Sequence, residues 1–116
     1  MDHDIVVVGS VNADLLVEVE RHPHPGETIL GRSSSVLAGG KGANQAVAAA
    51  RLGARTAMVG AVGRDPYAEV ALSELRRAAV DLGHVAQVDG ATGLAVVTVA
   101  DDGKNSIVVI PGANGS

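Results

Sequence analysis

The chain has 116 residues, of which 47% are hydrophobic, so it can form one domain around one core. Its net charge is −4 and Tyr67 is its single aromatic residue, which argues against nucleic-acid binding. It has no cysteine, which excludes disulfides and thiol catalysis. The acidic start is followed by only four apolar residues, too few for a signal peptide or membrane span, and we expect a soluble cytoplasmic protein.

The first third of the sequence indicates strands joined by turns. Ile5–Val8 is a continuous β-branched run, which predicts a strand buried on both faces. The segment 15–20 alternates valines with glutamates and predicts a strand with one wet face. Two prolines and a glycine within 22–26 predict a turn, and we expect short strands at 28–30 and 35–38.

Two helices are predicted in the middle of the chain. The segment 43–52 has small apolar residues at helical spacing, and Gly53 is a stop signal. A buried strand is expected at 57–62. After it, Asp65 is suited to cap a second helix whose first residue is Pro66.

The end of the chain predicts a hairpin, with strands at 94–100 and 106–110 joined by the turn 101–104. Strands that alternate with helices indicate an α/β fold with right-handed crossovers. The half-polar strands 15–20 and 94–110 do not suit the interior of such a sheet. We therefore expect them to form a small accessory sheet with one open face.

The main candidate site is a glycine-rich loop, Gly39-Gly40-Lys41-Gly42, at the start of the first predicted helix. Three glycines let backbone N–H groups approach a ligand, and a helix start favours an electronegative one. A tight strand-to-helix turn explains the glycines equally well. The loop is not a Walker P-loop, because Gly42 follows Lys41 where Ser or Thr is required.

A second candidate is Asn12-x-Asp14, just beyond the first buried strand, where ligands sit in α/β sheets. An amide and a carboxylate together suit neighbouring sugar hydroxyls, while a simple Asx turn is the structural alternative. Lys41 and Asn44 add donors if the two loops converge. A dinucleotide site is another alternative, with Gly40 and Gly42 as its glycines and Asp65 as its acidic residue.

Other polar clusters have simpler explanations. His22 and His24 alternate with prolines and have no further ligands nearby, so we predict no metal site there. Asp101 and Asp102 indicate a hairpin tip and no catalytic pair.

Together these pieces resemble the ribokinase family of sugar kinases, also called PfkB-type carbohydrate kinases. The resemblance covers essentially the whole chain, and the spacing of the family's first signature is kept. The matching stretches are Val8-Gly9-Ser10-Val11-Asn12-Ala13-Asp14, Pro25-Gly26-Glu27-Thr28, Gly39-Gly40-Lys41-Gly42-Ala43-Asn44-Gln45-Ala46, Gly53, Gly63-x-Asp65 and Thr92-Gly93.

The resemblance implies a ribokinase-like three-layer sandwich with a small β-sheet lid, of which this chain would be an incomplete, N-terminal domain. Core elements are then expected at 4–10 and 42–82, and lid strands within about 15–38 and 92–110. The lid would cover the sugar and form a homodimer contact. Neither nucleic acid nor a membrane is an expected partner.

The implied activity is phosphoryl transfer from ATP to the primary hydroxyl of ribose, with Mg²⁺ and an activating K⁺. Another pentose, a ketohexose or a nucleoside is the alternative substrate within the family. By resemblance, sugar-binding residues would be Asn12, Asp14, Gly40, Lys41, Gly42 and Asn44. Apolar lid contacts would be Ala95, Val97 and Ile107.

The family's second signature, a Gly-Ala-Gly-Asp stretch with the catalytic aspartate, does not occur in these 116 residues. We therefore assign no catalytic and no metal-binding residue to this chain. The chain alone is expected to be inactive as a kinase.

Overall fold

The computed structural model describes residues 2–115, which form two β-sheets and two α-helices. In chain order the elements are β1 (Ile5–Val8), β2 (Asn12–Glu18), β3 (Ser33–Gly39), α1 (Lys41–Arg51), β4 (Thr56–Val62), α2 (Pro66–Arg77), β5 (Asp81–Gln87), β6 (Gly93–Val99), β7 (Asn105–Ile110) and a 3-10 helix, Gly112–Gly115. No helix in this described part is long and apolar enough to cross a membrane.

Strands β1, β4 and β5 form a parallel sheet, called here the core sheet, in the order β1-β4-β5. Both helices lie on one of its faces: α1 contacts β1 and β4, and α2 contacts β5 and also β2 and β3, which lie outside this sheet. The apolar cluster between them is completely buried at Val11, Ala46, Met58, Ala71 and Leu75. Residues 2–115 thus supply three strands of the sheet and one helical layer of the predicted three-layer sandwich.

Local sequence explains where the helices begin and end. Pro66 occupies the first turn of α2, and the carboxylate of Asp65 accepts a hydrogen bond from the Ala68 N–H at 3.1 Å. Helix α1 is followed by Gly53, whose φ of 98° is in the left-handed region that favours glycine. Both predicted signals are confirmed.

The other four strands form a second sheet in the order β3-β2-β6-β7. It is antiparallel except at β2 and β6, which run parallel. The predicted accessory sheet of the segments 15–20 and 94–110 is therefore confirmed, and the predicted turn 101–104 closes its β6–β7 hairpin with an Ala100 N–H to Lys104 C=O bond of 3.1 Å.

Side chains alternate between the two faces of this second sheet, and cross-strand partners share a face. Asp14 is in register with Leu37 of β3 and with Ala95 of β6, which in turn is in register with Val109 of β7. We call this side the Asp14 face. The register places the odd-numbered residues of β7 on the Asp14 face and the even-numbered ones on the opposite face.

Two local predictions were wrong, and one strand was missed. Strand β1 is not buried on both faces, because it is an edge strand and no described element covers its face opposite the helices; Val8 is 77% exposed. No strand forms at 28–30, where Leu30 is 93% exposed in the loop between β2 and β3. Strand β5 was not predicted, since its sequence contains a glycine and polar residues, and it is defined by its pairing with β4.

The turn predicted at 22–26 is held by an exposed ion pair. Arg21 donates two hydrogen bonds to the carboxylate of Glu27, at 2.6 and 2.8 Å, and the His24 N–H donates a third at 2.9 Å. These bonds, first those from Arg21, lower the pKa of Glu27 to about 2.

Candidate functional site

The loop after β1 and the glycine loop before α1 pack directly against each other. The Ala43 N–H donates to the Ser10 carbonyl at 2.9 Å. A Cβ at Gly42 would lie 2.7 Å from the Ser10 nitrogen, and a Cβ at Gly40 would lie 2.6 Å from the Ser10 oxygen. Glycine is therefore required because two backbones meet here. The two loops therefore converge. This is the condition under which Lys41 and Asn44 can add donors beside Asn12 and Asp14.

Asp14 is the third residue of β2 and lies beside this junction. Its half-buried carboxylate rests against Gly39, where any side chain would occupy its place. It accepts no hydrogen bond from residues 2–115, and burial raises the pKa of Asp14. A desolvated carboxylate with free acceptor capacity is suited to bind ligand donors.

Asn12, the first residue of β2, is held by a residue that the sequence did not single out. Asn114, in the 3-10 helix, donates from Nδ2 to Asn12 Oδ1 at 2.5 Å. Asn114 also brackets the neighbouring peptide groups, accepting from the Val11 N–H at 3.0 Å and donating to the Val11 carbonyl at 3.2 Å. Asn114 lies 102 positions from Asn12, so no local signal could have indicated this contact.

The glycine loop presents backbone donors beside these side chains. Gly40 precedes α1 with φ 98°, and the first turn of α1 contains no acidic residue. The N–H groups of Lys41 and Gly42 donate to no carbonyl of residues 2–115. The side chains of Lys41 and Asn44 are exposed and form no hydrogen bond within the same residues, so they are available to a ligand.

The three predicted lid contacts share the Asp14 face of the second sheet. Ala95 is directly in register with Asp14, and Val97 is in register with Ile107 on the neighbouring strand β7. Ala95 is buried, Val97 is half-buried and Ile107 is 60% exposed. They form an apolar surface that starts beside the carboxylate and becomes more exposed toward the edge strand.

The geometry does not match the dinucleotide alternative. A dinucleotide fingerprint follows a parallel core strand, whereas the glycine loop follows β3, an antiparallel edge strand of the second sheet. The carboxylate of Asp65 is already engaged by Thr92 and by the Ala68 N–H.

Side chains of the remaining polar clusters are engaged in contacts within the protein. His22 Nε2 lies 3.0 Å from the Lys104 carbonyl, and Asp101 forms a bidentate ion pair with Arg32. Within residues 2–115 no three His, Asp or Glu side chains lie together in a way that could hold a metal ion.

A glycine loop at a helix start meets an Asn/Asp pair at the junction of a parallel sheet and a half-open second sheet, and this arrangement defines an α/β protein with a small polar site between its two sheets. The comparisons with known proteins specify this class. Residues 2–116 match the model of the pfkB family carbohydrate kinases. The chain belongs to this family.

Ribokinases are among the similar proteins. The Bacillus subtilis ribokinase is 46% identical over 111 residues, which are 96% of this chain and 38% of that protein. The structure of Arabidopsis thaliana ribokinase complexed with ribose and ATP superposes with a TM-score of 0.90 at 45% identity, covering 98% of this chain and 38% of that one. The Cryptococcus neoformans ribokinase in complex with ADP gives 0.83 at 42% identity, covering 94% of this chain and 34% of that one.

The predicted ribokinase-like fold is therefore confirmed. The chain spans a little over a third of the length of the relatives it matches.

Proposed function

We propose that this chain is the sugar-binding part of a ribokinase, which transfers the terminal phosphoryl group of ATP to the primary hydroxyl of D-ribose and forms ribose 5-phosphate. The observation that carries the proposal is the half-buried carboxylate of Asp14, which has no hydrogen-bond donor within residues 2–115. Ribokinases 45% and 46% identical to this chain, one of them complexed with ribose and ATP, support the choice of sugar.

Each part of the site has a role in binding the sugar. The Asp14 carboxylate accepts hydrogen bonds from ring hydroxyls, and the Asn12 amide holds a neighbouring hydroxyl. The glycine loop supplies backbone N–H donors from Lys41 and Gly42, Gly40 allows the loop its positive φ, and the side chains of Lys41 and Asn44 add further donors. Asp14 acts as a hydrogen-bond acceptor and does not act as the catalytic base.

The Asp14 face provides the apolar side of the site. Ala95, Val97 and Ile107 form a surface over which the carbon skeleton of the sugar lies. A sheet that covers the sugar also excludes water, which would otherwise compete with the sugar hydroxyl as the phosphoryl acceptor. We therefore assign the second sheet the role of the lid.

ATP is the proposed phosphoryl donor, supported by the ATP and ADP bound in the similar ribokinases. Magnesium would neutralise charge on the phosphates, and K⁺ would activate the enzyme, as the family resemblance implies. Within residues 2–115 no three His, Asp or Glu side chains lie together in a way that could hold a metal ion, and we assign no residue of this chain to either ion.

Isothermal titration of the chain with D-ribose tests the binding site directly. We expect saturable binding that Asp14→Asn weakens by at least tenfold. Asp89→Asn is the matched control, because it makes the same chemical change at a side chain that is 99% exposed. Equal affinity of the wild type and Asp14→Asn would contradict the proposed role of Asp14.

A chimera tests the substrate. The chain replaces the matching third of the Bacillus subtilis ribokinase, to which it is 46% identical. Ribose, fructose and adenosine are then compared as phosphoryl acceptors in the presence of ATP and Mg²⁺. We expect the highest kcat/KM with ribose. A clear preference for fructose or adenosine would reassign the chain to a ketohexose or nucleoside kinase of the same family.

A further inference from the structure

Asn114 forms a bridge between the end of the described chain and the start of β2. Its backbone is fixed by the Ala113 N–H, which donates to the Ala91 carbonyl at 2.8 Å, and Ala113 is only 3% exposed. Its side chain fills a narrow space beside Gly93, where a Cβ would collide with the Asn114 amide and lie 2.6 Å from Asn12 Oδ1. The amide is therefore held rigidly by its surroundings.

The N–H and C=O groups of Val11 together determine where Oδ1 and Nδ2 of the Asn114 amide lie. A backbone N–H can only donate, so the atom 3.0 Å from the Val11 nitrogen must be the Asn114 oxygen. A backbone carbonyl can only accept, so the atom 3.2 Å from the Val11 oxygen must be Asn114 Nδ2. The usual ambiguity between amide nitrogen and oxygen does not arise here.

The same logic then determines the orientation of Asn12. One proton of Asn114 Nδ2 is used by the Val11 carbonyl, and the other points at the Asn12 side chain, 2.5 Å away. The Asn12 atom at this position must be an acceptor, which is Oδ1. Its Nδ2 group therefore faces the other way, where neither of its protons is donated to any of residues 2–115.

We infer that Asn114 is a positioning residue that fixes the Asn12 amide with its NH₂ group toward the ligand. Adjacent to it, Asp14 offers only acceptors. The two side chains then impose opposite requirements on a vicinal diol, since one hydroxyl must accept from Asn12 while its neighbour donates to Asp14. This inference deepens the proposed function and rests on it for the identity of the ligand, but the orientation of Asn12 is independent of the ligand.

NMR relaxation of the Asn12 side-chain amide in the ligand-free chain tests the orientation. We expect an ordered amide in the wild type and a clear drop of its order parameter in Asn114→Ala, which removes the anchor. Asn114→Asp keeps the acceptor for the Val11 N–H but loses both donors, so it should also release or reverse Asn12. Gln87→Glu, the same amide-to-acid change on β5, is the control and should leave the Asn12 signal unchanged.

A double-mutant cycle in D-ribose affinity separates positioning from a general structural role. Asn114→Ala should weaken binding by about fivefold to tenfold, the value of one ordinary hydrogen bond. If Asn114 acts through Asn12, the double variant with Asn12→Ala binds no more weakly than Asn12→Ala alone. Additive losses would overturn the inference, as would an Asn12 order parameter that neither Asn114 variant changes.

The two experiments also separate this inference from the proposed function. A wild-type chain that does not bind ribose, but whose Asn12 amide loses order in Asn114→Ala, supports the positioning role and contradicts the choice of sugar.

Discussion

The Asp65 carboxylate joins helix α2 to strand β6 through Thr92. One carboxylate oxygen accepts from the Thr92 hydroxyl at 2.7 Å, and the other accepts from the Thr92 N–H at 2.9 Å. The Thr92 hydroxyl in turn accepts from the Gly63 N–H at 3.0 Å, and Thr92 is only 2% exposed. Since Gly63 directly follows β4 of the core sheet and Thr92 directly precedes β6 of the second sheet, this network connects the two sheets.

We predict that Asp65→Ala lowers the free energy of unfolding by about 2–4 kcal/mol. Loss of a helix N-cap costs about 1 kcal/mol, and leaving the buried Thr92 donors without an acceptor costs about 1–3 kcal/mol more. Asp65→Asn retains an acceptor oxygen and should lose less. Urea unfolding at pH 7 measures both differences, and equal stability of the wild type and Asp65→Ala would contradict the linking role.

The Asp65 contribution should depend on pH in a defined direction. Hydrogen bonds, first that from Thr92, lower the pKa of Asp65 in the folded state below its ordinary value of 3.8. A lowered pKa means that the stabilisation is complete above pH 3.8 and is lost as pH falls through the folded-state pKa. The difference in free energy of unfolding between the wild type and Asp65→Ala should therefore become smaller below about pH 4. A difference that stays constant down to pH 2 would show that the charge plays no part.

Two glycines of the same loop should respond differently to one added methyl group. At Gly42 the methyl would lie 2.7–2.8 Å from backbone atoms of Ser10 and Gly9, which cannot move without separating the loops. At Gly39 the three nearest atoms would all belong to the Asp14 carboxyl group, the end of a movable side chain. We predict that Gly42→Ala lowers stability by about 1–3 kcal/mol, as overpacking does.

Gly39→Ala should instead leave the unfolding midpoint nearly unchanged and weaken ribose binding by at least tenfold. The added methyl displaces the carboxylate from its binding position. Thermal unfolding and ribose titration of the two variants form one matched experiment. If Gly39→Ala bound ribose as tightly as the wild type, the position of the Asp14 carboxylate beside Gly39 would not be needed for ribose binding.

Asp14→Asn should stabilise the chain while weakening its function. Burial raises the pKa of Asp14 above 3.8, so the folded state favours the protonated acid and ionisation costs stability. This cost is absent below pH 3.8 and appears as pH rises through the folded-state pKa. The variant should therefore melt higher than the wild type at pH 7 and equally at pH 3.

The same variant should lose affinity for ribose. Hydrogen bonds to a charged group contribute about 1.5–3 kcal/mol, so the loss is expected to be about 10- to 150-fold. Calorimetric unfolding and titration at both pH values check the two halves of this prediction. If Asp14→Asn had a lower melting midpoint than the wild type at pH 7, the ionised carboxylate would stabilise the fold, and the predicted cost of its burial would be contradicted.

The sequence predicted those parts of the fold that depend on neighbours along the chain. Asp65 and Pro66 mark a helix start within two residues, Gly53 marks a helix end, and the turn 101–104 closes a hairpin. Each signal acts over one turn of backbone, so it is visible without knowledge of the tertiary structure. The convergence of the glycine loop with Asn12 and Asp14 depends on contacts between segments that are distant in the sequence, which local patterns do not specify.

The features that were missed depend on contacts between distant segments. Strand β5 exists because it pairs with β4, although its glycine and polar residues are not typical of a buried strand. Asn114 reaches a residue 102 positions away. The exposure of Val8 also follows from topology, because a β-branched run predicts a strand but does not indicate which of its faces is covered.

The chain alone should not transfer phosphate. Phosphoryl transfer requires positioned phosphates, charge-neutralising metal and a group that orients the nucleophile. The Gly-Ala-Gly-Asp stretch that the family resemblance associates with the catalytic aspartate is absent from the 116 residues. We expect no ADP above background when pure chain is incubated with ATP, Mg²⁺ and ribose. Turnover that follows the protein through purification and is abolished by Asp14→Asn would contradict this prediction.

The last prediction concerns the exposed edge of the second sheet. Ile107 and Val108 are neighbours on β7 and are exposed to the same degree, 60% and 61%, but they point to opposite faces. Ile107 lies on the Asp14 face, which we assign to the sugar. An exposed apolar face is suited to packing against a second copy, and a two-fold dimer is the commonest symmetry. We expect the chain to be dimeric through the face that carries Val108.

Lysine at each of the two positions forms a matched pair of variants. Val108→Lys should give a monomer with unchanged ribose affinity, because a charge buried in an apolar contact is costly. Ile107→Lys should remain dimeric and bind ribose more weakly, since it changes only the sugar side. Sedimentation velocity at several micromolar concentrations, with ribose titration, measures both properties. A wild-type monomer would show instead that these side chains serve the chain's own packing, and dimers in both variants would place the contact elsewhere.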